Sequence, residues 1–267
     1  MDDAAYWGMS GNPFSEGAES TTAPLIDEAL ARLSFLVESQ RPLGILVGET
    51  GTGKSTLLKR FSEKLWRRGT IVCCESLLGR QAYEMLWRIG QQVGARPKGG
   101  EPVSAIWNAV EHRLAELALD RRRVVILLDD VDGMLGDVAL QLGRLLTQTE
   151  RFPRLLSLVL ATTPTAAPRL GERIAQQAHL RIDLGAWTLE ETVEYMDRAL
   201  SHAGRKSSPF ECAAVERLHY LAEGMPGRIR RTAELALMVA AGEKRSSIDE
   251  ALIEAVFSEF TGAAAAA

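Results

Sequence analysis

Residues 48 to 55 read Gly48-Glu49-Thr50-Gly51-Thr52-Gly53-Lys54-Ser55, a glycine-rich octet closed by a lysine and a hydroxyl. Glycines in these places let successive backbone N–H groups turn toward one anion, and a helix starting at Lys54 adds its positive end. Lys54 supplies a mobile charge suited to β- and γ-phosphates, the Ser55 hydroxyl is a hard oxygen for Mg²⁺, and Thr56 falls near an α-phosphate. The pattern G-x-x-x-x-G-K-[ST] predicts a loop for a nucleoside triphosphate, ATP with Mg²⁺, formed by residues 48–56. A second cluster follows at Val124-Val125-Ile126-Leu127-Leu128-Asp129-Asp130, an apolar run ending in two acids. Asp129, leaving a buried strand beside the strand of the loop, would hold Mg²⁺ through water, and Asp130 would orient or deprotonate the attacking water. Taken singly, each pattern has a plainer reading: a glycine-rich turn without a ligand, and two acids that merely end a strand. Their presence together favours the chemical one.

The surrounding elements must hold these groups in place. Leu43–Val47 is a short apolar run ending in glycine, and Lys54–Arg68 has helical periodicity, so the octet sits between a buried strand and an amphipathic helix. Further strands are predicted at Thr70–Cys74, Val124–Leu128, Leu155–Ala161 and His179–Leu184. Helices are predicted at 25–38, 79–94, 103–119 and 136–150. Strands alternating with helices imply a parallel sheet covered on both faces. From Thr188 the pattern is helical only, at about 188–203, 211–223, 227–241 and 248–259. The expected organisation is an N-terminal linker over 1–24, an α/β core over 25–186 and a small all-helical subdomain over 187–267.

The 267 residues are 46% hydrophobic and 25% charged with a formal net charge of -4, which gives no global pull toward nucleic acid or anionic lipid. No apolar run reaches the roughly 18–20 residues of a membrane span. The N-terminal segment MDDAAYWGMS lacks a secretory h-region. Cys73, Cys74 and Cys212 form neither a disulfide framework nor a metal spacing, so a reduced, cytoplasmic protein is expected. The four histidines lack ligand spacing. Trp66, Trp87 and Trp107 fall in helical stretches and read as core residues.

With these motifs placed, the chain resembles AAA+ P-loop ATPases, in particular the ExeA-type ATPases of general secretion and transposition relatives such as TniB. The likeness runs through the opening Tyr6-Trp7-Gly8-Met9 and Asn12-Pro13-Phe14, the phosphate loop and acidic strand, and Gly224-Met225-Pro226-Gly227-Arg228-Ile229. The resemblance implies hydrolysis of ATP, self-assembly in ATP, and a helical lid whose Arg228 senses the γ-phosphate. It places a second sensor at Thr162 or Thr163, with Thr163 preferred, and the opening segment near the adenine. Trp7, Pro13 and Phe14 would border the base or serve packing. Among Arg169, Arg173 and Arg181, Arg173 is the expected finger toward a neighbouring subunit. Asp130 departs from the glutamate usual in this layout. One methylene less withdraws the carboxylate by more than about an ångström, to which catalytic positioning is sensitive. Asp129-Asp130-Val131 with Thr162-Thr163 also resembles the STAND signalling ATPases, so a slow nucleotide-gated switch stands as the alternative.

Secretion proteins of the ExeA type add a transmembrane helix and a peptidoglycan-binding domain, so any secretion role here is expected to act through a partner protein, without membrane insertion. Three basic clusters remain: Lys59, Lys64, Arg67 and Arg68; Arg121-Arg122-Arg123; and Arg228, Arg230 and Arg231. Each reads first as a solvated face and second as a phosphate-tracking path on DNA.

Overall fold

Three unbroken apolar runs become the middle of a sheet. In the computed structural model, which describes residues 3–15 and 24–265, β1 (Leu43–Gly48), β3 (Val124–Asp129) and β4 (Leu156–Thr162) are buried at every position. β2 (Ile71–Ser76) and β5 (Leu180–Leu184) alternate buried with more exposed side chains, the pattern of edge strands covered less completely. The order is β2-β3-β4-β1-β5, and every pairing is parallel.

Parallel neighbours need crossovers, and helices supply them. α3 (Lys54–Arg67) links β1 to β2, α4 (Ala82–Val93) and α5 (Val103–Leu119) link β2 to β3, and α6 (Gly136–Arg151) links β3 to β4. The six-residue α7 (Glu172–Gln177) lies before β5; it is too short to declare itself by periodicity. The chain leaves β1 for β2 on one side, and β5 lies on the other. Such a reversal opens a crevice at the carboxyl ends of the strands.

Two expectations are corrected. β3 does not stand beside β1, because β4 lies between them. β4 has the longest fully buried run and takes the most enclosed place, so Asp129 starts about 10 Å from the axis of β1 at ordinary strand spacing. Trp66 is not a core residue either: it is 74% exposed, whereas Trp107 is fully buried. The inner face of α3 is made by Leu57, Leu58, Phe61 and Leu65, and Trp66 follows a further 100° or so round the helix.

The chain divides into two compact units, Glu28–Leu184 and Met1–Asp27 with Gly185–Ala267. The first holds the sheet, with α4, α5 and α6 packed through Leu86, Trp107 and Leu145. α2 (Pro24–Glu38) precedes β1. The second holds α8 (Leu189–His202), α9 (Cys212–Leu221), α10 (Pro226–Gly242) and α11 (Glu250–Ala265). α8 begins at a capping box: the Glu191 N–H donates to Thr188 Oγ1, and the Thr188 N–H donates to Glu191 Oε2.

The opening segment, where described, is part of this helical core. α1 (Asp3–Tyr6) precedes Trp7, whose indole N–H donates to the Leu237 carbonyl at 3.0 Å. Phe14 is completely buried against Tyr195 and Phe210, and Arg230 donates to the Phe14 carbonyl at 2.7 Å. Part of the expected linker, residues 16–23, lies outside the described residues. Truncating a fully buried phenylalanine costs about 3–5 kcal/mol. Phe14→Ala is therefore expected to lower the denaturant midpoint of the helical unit, read by hydrogen exchange of α8 and α9. Unchanged protection there would show that the segment contributes no packing.

Candidate nucleotide-binding site

β1 ends at Gly48, where the chain turns back over the sheet. A Cβ on Gly48 would lie 2.5 Å from Thr52 Oγ1 and 2.8 Å from the Leu184 carbonyl oxygen, so only glycine fits between the loop and β5. Thr52 braces the loop from inside: it is buried, its N–H donates to the Glu49 carbonyl at 3.2 Å, and its hydroxyl donates to the same oxygen at 2.8 Å. Gly51 and Gly53 have φ of +90° and +95°, the region glycine enters without penalty. Gly53 caps α3, and Lys54, Ser55 and Thr56 form its first turn. The backbone donors of that turn therefore have no intrahelical partners and mark the positive end of the helix.

Lys54 is only 8% exposed. Its ammonium donates to the carbonyls of Gly48 and Glu49, at 2.7 and 3.1 Å, which folds the charge over the loop. Glu49 and Thr50, by contrast, are exposed at the loop's outer edge.

The acidic strand end joins this loop through one side chain. The Ser55 hydroxyl comes close enough to the Asp129 carboxylate, across the end of β4, to favour its ionised form. Burial pushes the Asp129 carboxyl above its ordinary value, and the charge of Asp130 adds to this; Ser55 and the Asp130 N–H, with the charge of Lys54, pull the other way. Asp130 is held differently. Its backbone is left-handed, φ 52° and ψ 42°, a conformation that aspartate tolerates better than most residues. Its N–H donates to Asp129 Oδ1 at 3.0 Å, and Ser76 Oγ donates to its Oδ2 at 2.7 Å. Ser76 is the residue that sequence reasoning missed. It closes β2 directly opposite Asp129 in register, and the signal was a hydroxyl at the end of a strand.

Thr162 ends β4 opposite Val47 of β1, is fully buried, and its hydroxyl has no hydrogen-bond partner among the described residues. Thr163 is partly exposed; its hydroxyl lies 3.2 Å from that of Thr165 and 3.4 Å from Asp132 Oδ2. The loop, Asp129, Asp130, Thr162 and Thr163 thus meet at the carboxyl edge of the sheet.

The remaining predicted residues belong to other elements. Arg228 lies in the first turn of α10 in the helical unit, half exposed and paired with Glu223 at 2.9 Å. Arg181 is engaged by Asp183 two residues along β5, at 2.8 Å. The backbone of Arg173 lies in α7, and its side chain is outside the described residues. No group of three or more His, Cys, Asp or Glu side chains that could hold a metal occurs among the described residues. To a cation here the protein could offer two oxygens, from Ser55 and Asp129. That donor set suits Mg²⁺, which takes few protein ligands and completes its shell with phosphate oxygens and water.

A glycine loop on an inner strand of a parallel sheet, opening a helix beside an acidic strand end, defines the P-loop class of nucleotide-binding α/β proteins. Residues 37–170 match the family described as AAA domain, and the chain belongs to that family. It is 28% identical over 246 residues to General secretion pathway protein A of Aeromonas hydrophila, covering 88% of this chain and 44% of that protein. The chain therefore spans less than half the length of that relative. Its fold is like that of the Aeropyrum pernix ORC2 protein (TM-score 0.68, 20% identity, 93% of this chain and 71% of that one). It is also like that of Drosophila ORC bound to DNA (TM-score 0.71, 15% identity, 98% and 66%). Both are likenesses of fold: a parallel sheet flanked by helices and followed by a helical part.

The raised Asp129 carboxyl sets a sign for stability. A group raised in the folded state contributes fully at pH below its unfolded value, and that contribution is lost as pH rises through the folded value. At neutral pH without metal, the ionised and desolvated carboxylate is a cost. Asp129→Asn keeps an acceptor for Ser55 and the Asp130 N–H and removes that cost. The metal-free variant is expected to melt above the parent at pH 7, with the difference shrinking toward pH 4. A variant melting at or below the parent at pH 7 would contradict this electrostatic picture.

Proposed function

We propose that this chain binds ATP with Mg²⁺ and hydrolyses it to drive a conformational change or the assembly of a partner complex. The observation that carries the reading is the closeness of Ser55 to Asp129, a metal-type hydroxyl near a buried carboxylate beside the phosphate loop. In this reading the N–H groups of residues 48–56 and Lys54 hold the phosphates, while Ser55 and Asp129 hold Mg²⁺, the latter through water. Bound Mg²⁺ would neutralise charge on the phosphate oxygens. Asp130 orients or takes the proton of the attacking water, with Ser76 holding its carboxylate in place. Thr163, or its neighbour Thr162, contacts the γ-phosphate or the water. The buried, unpartnered hydroxyl of Thr162 supports keeping both. Arg228 serves as the lid's sensor, and its exposed pair with Glu223 leaves it able to exchange partners at little energetic cost.

Self-association in ATP, with Arg173 completing a neighbour's site, belongs to the same proposal, as does a partner protein of the secretion or transposition type. Cytoplasmic location is likewise proposed; among the described residues no helix is long and apolar enough to cross a membrane. A second reading, a nucleotide-gated switch with negligible turnover, is favoured by the short Asp130 side chain tied to Ser76.

Steady-state hydrolysis and ATP binding in three variants separate these readings. Lys54→Ala is expected to abolish nucleotide binding or turnover, and unimpaired turnover would sink the site assignment. Asp130→Asn is expected to keep ATP affinity and lose about 10²-fold or more in rate, as removal of a general base does. If the parent binds ATP tightly without turning it over and Asp130→Glu then turns it over, the site is a switch tuned to be slow.

A further inference from the structure

The pole of the Glu28–Leu184 unit opposite the phosphate loop carries a row of arginines that the nucleotide chemistry leaves unused. All five strands run parallel, so their starts share one edge, about 20 Å from the loop at ordinary strand rise. Arg67 and Arg68 precede β2, Arg121, Arg122 and Arg123 precede β3, Arg151 and Arg154 precede β4, and Arg41 precedes β1. In the sheet these are four successive neighbours, β2-β3-β4-β1. Backbone contacts hold the row together: the Ile71 N–H donates to the Arg123 carbonyl at 3.0 Å, and Ser157 Oγ donates to the Arg41 carbonyl at 2.8 Å.

Three of the eight are committed to the protein. Arg68 pairs with Glu38 at 2.7 Å, Arg151 with Glu111 at 2.9 Å, and Arg123 donates to the Val37 carbonyl at 2.9 Å. The other five, Arg41, Arg67, Arg121, Arg122 and Arg154, are exposed and have no ion pair among the described residues. Asp120 stands in the same turn as Arg121, Glu150 beside Arg151 accepts from Gln177, and Glu38 and Glu111 are taken up by Arg68 and Arg151. Helix C-termini at this pole attract cations, yet that attraction amounts to about 0.3–1 kcal/mol each and asks for one per helix. Five unpaired guanidinium groups repel one another without a counter-charge.

We propose that this rim docks the phosphodiester backbone of duplex nucleic acid without reading its sequence. Four strands at about 4.8 Å spacing make a row roughly 14 Å long, a length of duplex axis over which each strand advances by about four phosphates at 3.4 Å of rise each. The guanidinium fork pairs with phosphate oxygens bidentately and stays charged at any working pH. A charge repeated along successive strands fits a repeating polyanion better than a single acidic patch on a protein. The surface lies away from the phosphate loop, so the proposal stands or falls independently of the hydrolysis reading.

The test is fluorescence anisotropy of the full chain with a labelled duplex of arbitrary sequence, alongside ATP binding and thermal melting. With about four phosphate contacts, affinity is expected to fall about a hundredfold between 50 and 200 mM salt. The combined variant Arg67→Gln, Arg121→Gln, Arg122→Gln, Arg154→Gln is expected to lose at least tenfold in affinity and flatten the salt dependence. Its ATP affinity should match the parent and its melting temperature should be no lower, because none of these side chains has an ion pair among the described residues and removing them relieves repulsion. Lys54→Ala should bind duplex like the parent. No binding by about 100 µM protein at 50 mM salt would overturn the proposal, since non-specific contacts of this kind reach that range. A quadruple variant that binds like the parent would do the same. So would polyglutamate of equal charge competing as well as the duplex, which would assign the rim to an acidic protein.

Discussion

The site depends on one close approach across a gap that the sheet itself creates. β4 separates the strand of the phosphate loop from the strand of the acids, so Asp129 cannot meet the loop by strand adjacency. Ser55 closes the distance because it sits in the first turn of α3, and α3 begins where it does because Gly53 caps it in a conformation closed to most residues. The register adds its share. Val47 faces Thr162, and Leu128 faces Leu160, so the three central strands finish nearly level. A slip of one residue in either pairing would exchange buried for solvent-facing side chains along a whole strand. The apolar lengths of β1, β3 and β4 therefore determine where the polar groups of the site meet.

Those polar groups are expensive to gather. Thr52, Lys54, Asp129 and Thr162 are all buried at the edge of an otherwise aliphatic sheet. Thr52 and Lys54 are satisfied by loop carbonyls, so the loop serves as its own counterweight. Asp129 is only partly satisfied, as its raised carboxyl shows. Asp130 adds backbone strain at a non-glycine residue, and Thr162 adds an unpaired hydroxyl. Unsatisfied burial and strain of this kind, each costing of order 1–3 kcal/mol, persist where the surrounding packing over-determines them. Here the surroundings are the fully buried faces of three strands. Their concentration in one corner of the sheet, around a glycine loop, is what a site built for a charged ligand looks like before the ligand is considered.

Much of this was legible in the sequence because its physics is local. Strand cores announce themselves as apolar runs, and the octet carries its own requirement for glycine; Leu43–Gly48, Lys54–Arg67 and Val124–Asp129 fall within a residue or two of the pattern. What was not legible is non-local. Nothing in Leu155–Ala161 says that this strand inserts between β1 and β3, since that follows from competition for the most buried place. Ser76 looked like any hydroxyl ending a strand until the pairing set it opposite Asp129. Trp66 read as core because its size outweighed its phase, one position past the inner face of α3. The opening segment read as a linker because its buried contacts, Trp7 with Leu237 and Phe14 with Tyr195, bridge about 200 residues of sequence.

One constraint links the two ends of the sheet unit. In a parallel sheet every crossover helix runs back against the strands, so helix N-termini gather at the carboxyl edge and C-termini at the opposite edge. The first edge is thereby positive in its backbone and suited to phosphate, which is where the loop stands. The second edge is negative in its backbone and suited to cations, which is where α3, α5 and α6 end beside arginines. Up to that point the distribution of charge follows from topology alone. Topology asks only for enough cations to complement the dipoles, and Arg68, Arg123 and Arg151, engaged with partners in the fold, already meet it. The five arginines beyond them, of which Arg67 stands in the last turn of α3, have no ion pair among the described residues, and their mutual repulsion is a cost that an opposite charge from outside the chain would relieve.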